Sequence, residues 1–185
     1  LVNAGNNTTV MLDANGGTAN FDGCITVGSL HSPMNCDIAE TFEFGREPAV
    51  RTGFVMSIDS TTAGHVTVSN KAYDTRVAGI ISGANDVNPG ISLSQQGVME
   101  GDQNVALSGR VYVRADAGNG PIKPGDLLTT SDVPGHAMKV TDHAKAQGAI
   151  LGKAMTSLKE GQGLVLVLVT LQQTAHRNFY ETETL

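Results

Sequence analysis

The chain has 185 residues, of which 40% are hydrophobic and 16% charged, with 22 glycines, no tryptophan and a net charge of -6. That length holds one domain with a short appendage, and few charges with abundant Gly, Thr, Val and Ser fit an all-β chain rich in turns. The acidic balance and the lack of any basic run exclude a nucleic-acid binder, and no 18-residue apolar stretch is present to serve as a membrane span.

No signal-peptide pattern occurs. The chain begins at Leu1 rather than Met, so it reads as an excised or processed piece, and the missing signal carries no weight about secretion. Within the segment 1–36, residues 1–31 alternate short apolar runs with Gly and Asn turns: Thr9-Val10-Met11-Leu12, then Asn15-Gly16-Gly17, then Asp22-Gly23 before Ile25-Thr26-Val27. Asn-Gly and Asp-Gly punctuate β structure. Such strands are too short to build a core alone and gain stability by wrapping or stacking. They read as the end of a three-stranded fibre stalk. Cys24 and Cys36 make no disulfide framework, and with His31 they match no zinc spacing. No metal or cofactor is expected.

Composition changes at residues 35–44, NCDIAETFEF. Asp37 and Glu40 stand three residues apart. In a strand they would face opposite sides, whereas in a helical turn they would share one. One short turn over residues 37–44 therefore brings them together. Two close carboxylates do not both ionise easily, which leaves one acid and one base beside the Cys36–Asp37 amide. Spacing alone favours the plainer alternative, an Asp N-cap with Glu at N3. Asn35-Cys36 offers a rival route through Asn cyclisation, but Met34 stands where intein junctions carry His, and an ordinary turn Asn beside a buried Cys is the simpler reading.

Residues 48–57 (PAVRTGFVMS) and 121–130 (PIKPGDLLTT) begin two similar series. Each runs to an aspartate, Asp59 or Asp132, and then to Gly64-His65 or Gly135-His136, which opens an alternating strand. A Gly-punctuated apolar run follows in each, VAGII over 77–81 and AILGKA over 149–154. A long strand closes each series, over 105–114 and 164–171. The order predicts two β units, about 48–114 and 121–171, packed as one barrel-like or sandwich-like head over 37–172. The paired histidines read as a repeated hydrogen bond rather than metal ligands. Residues 141–147 (TDHAKAQ) predict a turn or two capped by Thr141 or Asp142, and 173–185 a polar tail.

The run DIAETFEF, the Gly-started strand GFVMSID over 53–59 and the segment YDTRVAGIISG over 73–83 resemble the peptidase G2 family. That family comprises self-cleaving intramolecular-chaperone domains of phage appendage and tail-fibre proteins. The region 107–172 resembles a module common in bacterial and phage-like fibre proteins, and its Pro-Gly-Asp-Leu-Leu pattern resembles small barrels of capsid-decoration type. The resemblance implies an all-β homotrimer that helps an upstream fibre region of the same chain to fold and is then released. It implies Asp37 at the scissile bond after Cys36 with Glu40 as catalytic partner, and a location outside the cell or on a virion or particle surface. Here Cys36 stands where a small polar residue is expected, and Thr41 delays the aromatic to Phe42.

No G-x-S-x-G elbow, Walker loop or dinucleotide fingerprint occurs, so no turnover enzyme is indicated. The alternative is a passive binding module for a cell-surface glycan or another particle protein. With Tyr73, Tyr112 and Tyr180 as the only tyrosines, an aromatic glycan platform on one subunit is disfavoured.

Overall fold

Alternating apolar positions bounded by glycine turns produce ten strands among the described residues, which in this computed structural model are 36–44, 50–94 and 101–171. The chain divides into units 1–31 and 32–185, and every described residue lies in the second. The expectations for the stalk, for Asn35, Cys24 and His31, and for the polar tail fall outside the described residues.

The strands are β1 (Asp37–Phe42), β2 (Val55–Ile58), β3 (Val66–Val68), β4 (Val77–Ile81) and β5 (Ile91–Leu93). They continue with β6 (Gln103–Asp116), β7 (Leu127–Thr130), β8 (Ala137–Lys139), β9 (Ile150–Ala154) and β10 (Gln162–Thr170). The protein is all-β: no α-helix occurs among the described residues, which hold only short 3-10 turns at Ala84–Asp86 and Ala117–Asn119. Over 141–147 the expected capped turn is present, with the Asp142 carboxylate accepting the N–H groups of Ala144 (3.1 Å) and Lys145 (3.2 Å).

The long strand β6 organises the molecule. Pairings β10–β9, β9–β7, β7–β8, β8–β6 and β6–β10 close a five-stranded barrel. Its interior is filled by alternate residues of each strand: Val111, Val113 and Ala115 from β6, and Val165, Val167 and Val169 from β10. Leu128, Ala137 and Leu151 complete the filling from the other strands. The same apolar cluster continues past the barrel to Val55, Ile80 and Ala106. Strands β4, β2 and β3 extend the sheet from β6, and β1 lies along β6 with β5 beside it. A second cluster, Met56, Val66, Ile81 and Val105, covers the opposite face of β2, β4 and β6, with Phe42, Phe44 and Leu107 packed against it.

Two strand triplets have the same wiring. β2 pairs antiparallel with both β3 and β4, and β7 pairs antiparallel with both β8 and β9. Both central strands carry a register shift, at Met56/Ser57 and at Leu128/Thr129. The turns before them also match. Gly53 N–H donates to the Ile81 carbonyl and Gly125 N–H to the Ala154 carbonyl, each at 2.8 Å. The histidine turns bond alike through the backbone, with His65 N–H on the Thr62 carbonyl (3.3 Å) and His136 N–H on the Val133 carbonyl (3.0 Å).

One local expectation is overturned. Residues Asp37–Phe42 form a strand, not a helical turn. The reason is pairing on both edges: β5 runs parallel to β1 on one side and β6 antiparallel on the other. Two ladders satisfy backbone groups that a one-turn helix would leave open at its ends.

Candidate functional site

The seam lies at the start of β1. The Cys36 carbonyl oxygen accepts the Arg110 N–H at 3.1 Å, and the Asp37 carbonyl accepts the Gly90 N–H at 2.8 Å. The Cys36–Asp37 peptide thus lies flat against β6 at Gly109, where no side chain fits. A Cβ on Gly109 would stand 2.5 Å from the Cys36 oxygen and 2.8 Å from the Asp37 Cα, and its φ of +106° also suits glycine. Gly109 therefore lets the two strands approach at this bond.

Alternation along β1 sends successive side chains to opposite faces. Asp37 and Ala39 point inward and are buried, whereas Cys36 and Ile38 are exposed and Glu40 is half-buried on their side. The structure does not bring Asp37 and Glu40 together within one chain. This corrects the shared carboxylate site, and the cause is the replacement of the turn by a strand.

Asp37 is 3% exposed. Burial pushes its carboxyl up from the ordinary value of 3.8, while the nearby Ser82 hydroxyl and its own backbone N–H pull back. Neither carboxyl oxygen completes a hydrogen bond of ordinary geometry, and neither does the Ser82 Oγ. Thr41 Oγ1, on the same inward face of β1, is also buried without a partner. Unsatisfied buried polar atoms are uncommon in folded proteins, and three of these four oxygens belong to the inward face of β1. Chemically, the arrangement offers a buried carboxyl, shifted upward, on the residue that supplies the nitrogen of the Cys36–Asp37 bond, and no second carboxylate beside it among the described residues.

On the outward face, Cys36 is a free thiol, and the Arg110 Nη2 donates to its Sγ at 3.2 Å. Sequence separation hides this contact, since the partners stand 74 positions apart. His65 Nε2 lies 3.3 Å from Glu43, and the His136 Nδ1 lies 2.8 Å from the Pro134 carbonyl oxygen. The histidines thus share a backbone bond but not a side-chain partner. No three His, Cys, Asp or Glu among the described residues come close enough to hold a metal ion.

The segment from Tyr73 to Arg76 joins the two strand triplets. Asp74 is buried at 3% exposure and accepts Arg76 Nε (3.1 Å) and Nη2 (2.9 Å) in a two-pronged fork, plus the Arg76 N–H at 3.0 Å. Its own N–H donates to the Thr130 Oγ1 of β7 at 2.7 Å. The Tyr73 hydroxyl accepts the N–H groups of Thr141 (3.2 Å) and Asp142 (3.1 Å). In the sequence these residues stand out only through the family resemblance; in the structure they clasp the β2–β4 triplet to the β7–β9 triplet. A polar Tyr-Asp pair in a loop, with Arg two positions on, was the available signal.

A shallow opening is lined by Glu43, Phe44, Gly101 and Asp102, next in sequence to residues outside the description. No helix of the described residues is long and apolar enough to cross a membrane. Neither the family models nor the curated proteins compared with this chain match it.

Proposed function

We propose that this chain is the self-associating, chaperone-like β head of a fibrous surface or phage-like appendage, a homotrimer outside the cell or on a particle, with a structural role. The observation that carries this reading is the outward face of the barrel. Val165, Val167 and Val169 fill the interior, while Leu164 and Leu168 of the same strand stand 39% and 41% exposed. A strand that is apolar on both faces is the pattern of one buried on both faces, and contiguous exposed apolar patches mark interaction sites. In this reading the two strand triplets are copies of one unit, β2–β4 closed by β6 and β7–β9 closed by β10. Their shared pairings, register shifts and glycine turns support the duplication. Light scattering on purified protein is expected to give three times the chain mass. A monomer across micromolar concentrations overturns the proposal.

A second reading, single-turnover cleavage of the Cys36–Asp37 bond, is favoured by one observation: the sealed, unpartnered Asp37 carboxyl beside that bond. In this step a water molecule adds its hydroxyl to the Cys36 carbonyl carbon, and the Asp37 carboxyl acts as the acid that gives a proton to the departing Asp37 nitrogen and regains one from that water. Glu40, the other member of the expected pair, faces away from it in the same chain. In a chain extended upstream, intact-mass measurement should find cleavage before Asp37, lost in Asp37→Asn and kept in Glu40→Gln. An uncut extended chain that has assembled rules this reading out and leaves the structural one standing.

A further inference from the structure

The strands β5, β1, β6, β10 and β9 are paired in sequence across one sheet, and register places their outward residues in rows. One row runs Ile91, Ile38, Ser108, Thr170, and the next runs Arg110, Leu168, Lys153. Met155 N–H donates to the Leu166 carbonyl at 2.7 Å, which sets Met155 beside the leucines of β10. Five of the large apolar side chains that stand exposed belong to these strands, Ile38, Ile91, Leu93, Leu164 and Leu168, and two more, Met155 and Leu171, directly follow β9 and β10. They fall at two ends. Ile38, Ile91 and Leu93 occupy the β1–β5 end, and Met155, Leu164 and Leu168 the β10–β9 end.

The charges differ between these ends. Glu40 stands opposite Leu93 at the first end and has no cation within ion-pair distance among the described residues. Arg110 and Lys153 flank Leu168 at the second and have no carboxylate partner among the described residues. Among the described residues β5 pairs only with β1, and its three residues, Ile91–Leu93, include no lysine or proline of the kind that guards an edge strand.

We infer that a second copy of this chain covers this face heterologously, the β1–β5 end of one copy seated on the β6–β10–β9 end of the next. Charge complementarity selects contact between unlike ends. Like ends stacked on one another would set cation against cation or leave Glu40 unmatched, whereas unlike ends set Glu40 against Arg110 and Lys153, and the threefold assembly proposed above makes that contact heterologous. Heterologous contacts of this kind close into rings when the rotation permits. The inference rests on the self-association proposed above and names the surface that produces it.

Charge reversal tests it. Lys153→Glu, at an exposed site, and Arg110→Glu are each expected to raise the dissociation concentration at least about tenfold, read by light scattering across a dilution series. Adding Glu40→Lys to the Lys153→Glu chain should restore assembly, because every interface then carries the swapped pair. Leu164→Ser, which removes apolar surface without touching charge, should also weaken assembly while leaving the circular dichroism spectrum of the β fold unchanged. If the unmodified chain is monomeric, the reading beneath the inference fails. If it assembles and Lys153→Glu and Leu164→Ser assemble equally well, the surface is wrong and self-association stands.

Discussion

Two aspartates in this fold are equally sealed from solvent, at 3% exposure, and are driven in opposite directions. Burial raises the Asp37 carboxyl, and the opposing pull of the Ser82 hydroxyl and its own backbone N–H does not offset it. Burial also acts on Asp74, but the fork from Arg76 and the Arg76 N–H overcome it, and the net shift is downward. A folded-state value raised above the unfolded one favours folding below the unfolded value and loses that contribution as pH rises through the folded value. A depressed value does the reverse: its contribution is present above the unfolded value and lost as pH falls through the folded one. Asp37→Asn is therefore expected to gain thermal stability relative to the parent chain as pH rises from the ordinary carboxylate value of 3.8 towards neutrality. Asp74→Asn should cost about 1.5–3 kcal/mol at neutral pH, the worth of hydrogen bonds to a charged group, with the deficit shrinking in acid. Melting curves of both variants from acid to neutral pH check the pair, and parallel pH profiles would refute the assignment. Asp37 was visible in the sequence as a notable residue, but its burial depends on which way a strand faces, and spacing alone could not fix that.

At the scale of elements, the strands that the sequence marks best are those opened by glycine turns with strict alternation behind them. The runs read at 77–81 and 149–154 coincide with β4 and β9, and the long strands read at 105–114 and 164–171 with β6 and β10. β1 departs from the expected turn because Asp and Glu three apart imitate a capping box, and tertiary pairing on two edges outweighs that local preference. β5 is three residues long, too short to carry a period. The glycines in the paired apolar runs have a physical reason that spacing did not show. A Cβ on Gly79 would meet the Ala106 carbonyl oxygen at 2.5 Å, and one on Gly152 the Leu168 carbonyl oxygen at 2.2 Å. Both obstacles are backbone of a neighbouring strand and neither yields cheaply. Gly79→Ala and Gly152→Ala should each cost about 2–3 kcal/mol in denaturant unfolding, within the range for overpacking a close-packed site. A loss below about 0.5 kcal/mol at either glycine, the range of an ordinary surface substitution, would show that the strands can part to admit a methyl group.

At the scale of the molecule, an all-β fold is legible in the sequence but not how its two strand triplets join. Barrel closure depends on a single parallel pairing, Ala115 with Ala137, between strands whose partnership no local pattern announces. The halves are joined by more than that. β6 serves both, and Val55, Ile80 and Ala106 pack in the same cluster as the barrel valines. Val55 N–H donates to the Gly135 carbonyl at 2.9 Å, Gly135 N–H to the Ser69 carbonyl at 2.7 Å, and Ala72 N–H to the Asp132 carboxylate at 2.8 Å. Elements that share one strand, one apolar cluster and several crossing hydrogen bonds have little to gain by unfolding separately. Residues 50–171 should therefore melt in one cooperative transition. Ile80→Ala, in the β2–β4 half, and Leu151→Ala, in the barrel, remove fully buried side chains and should each cost about 2–5 kcal/mol. Each should shift the whole transition rather than part of it, with near-ultraviolet and far-ultraviolet signals moving together. A separate early transition in Ile80→Ala, leaving the barrel signal where it was, would mean that the two halves are independent units that merely share a strand.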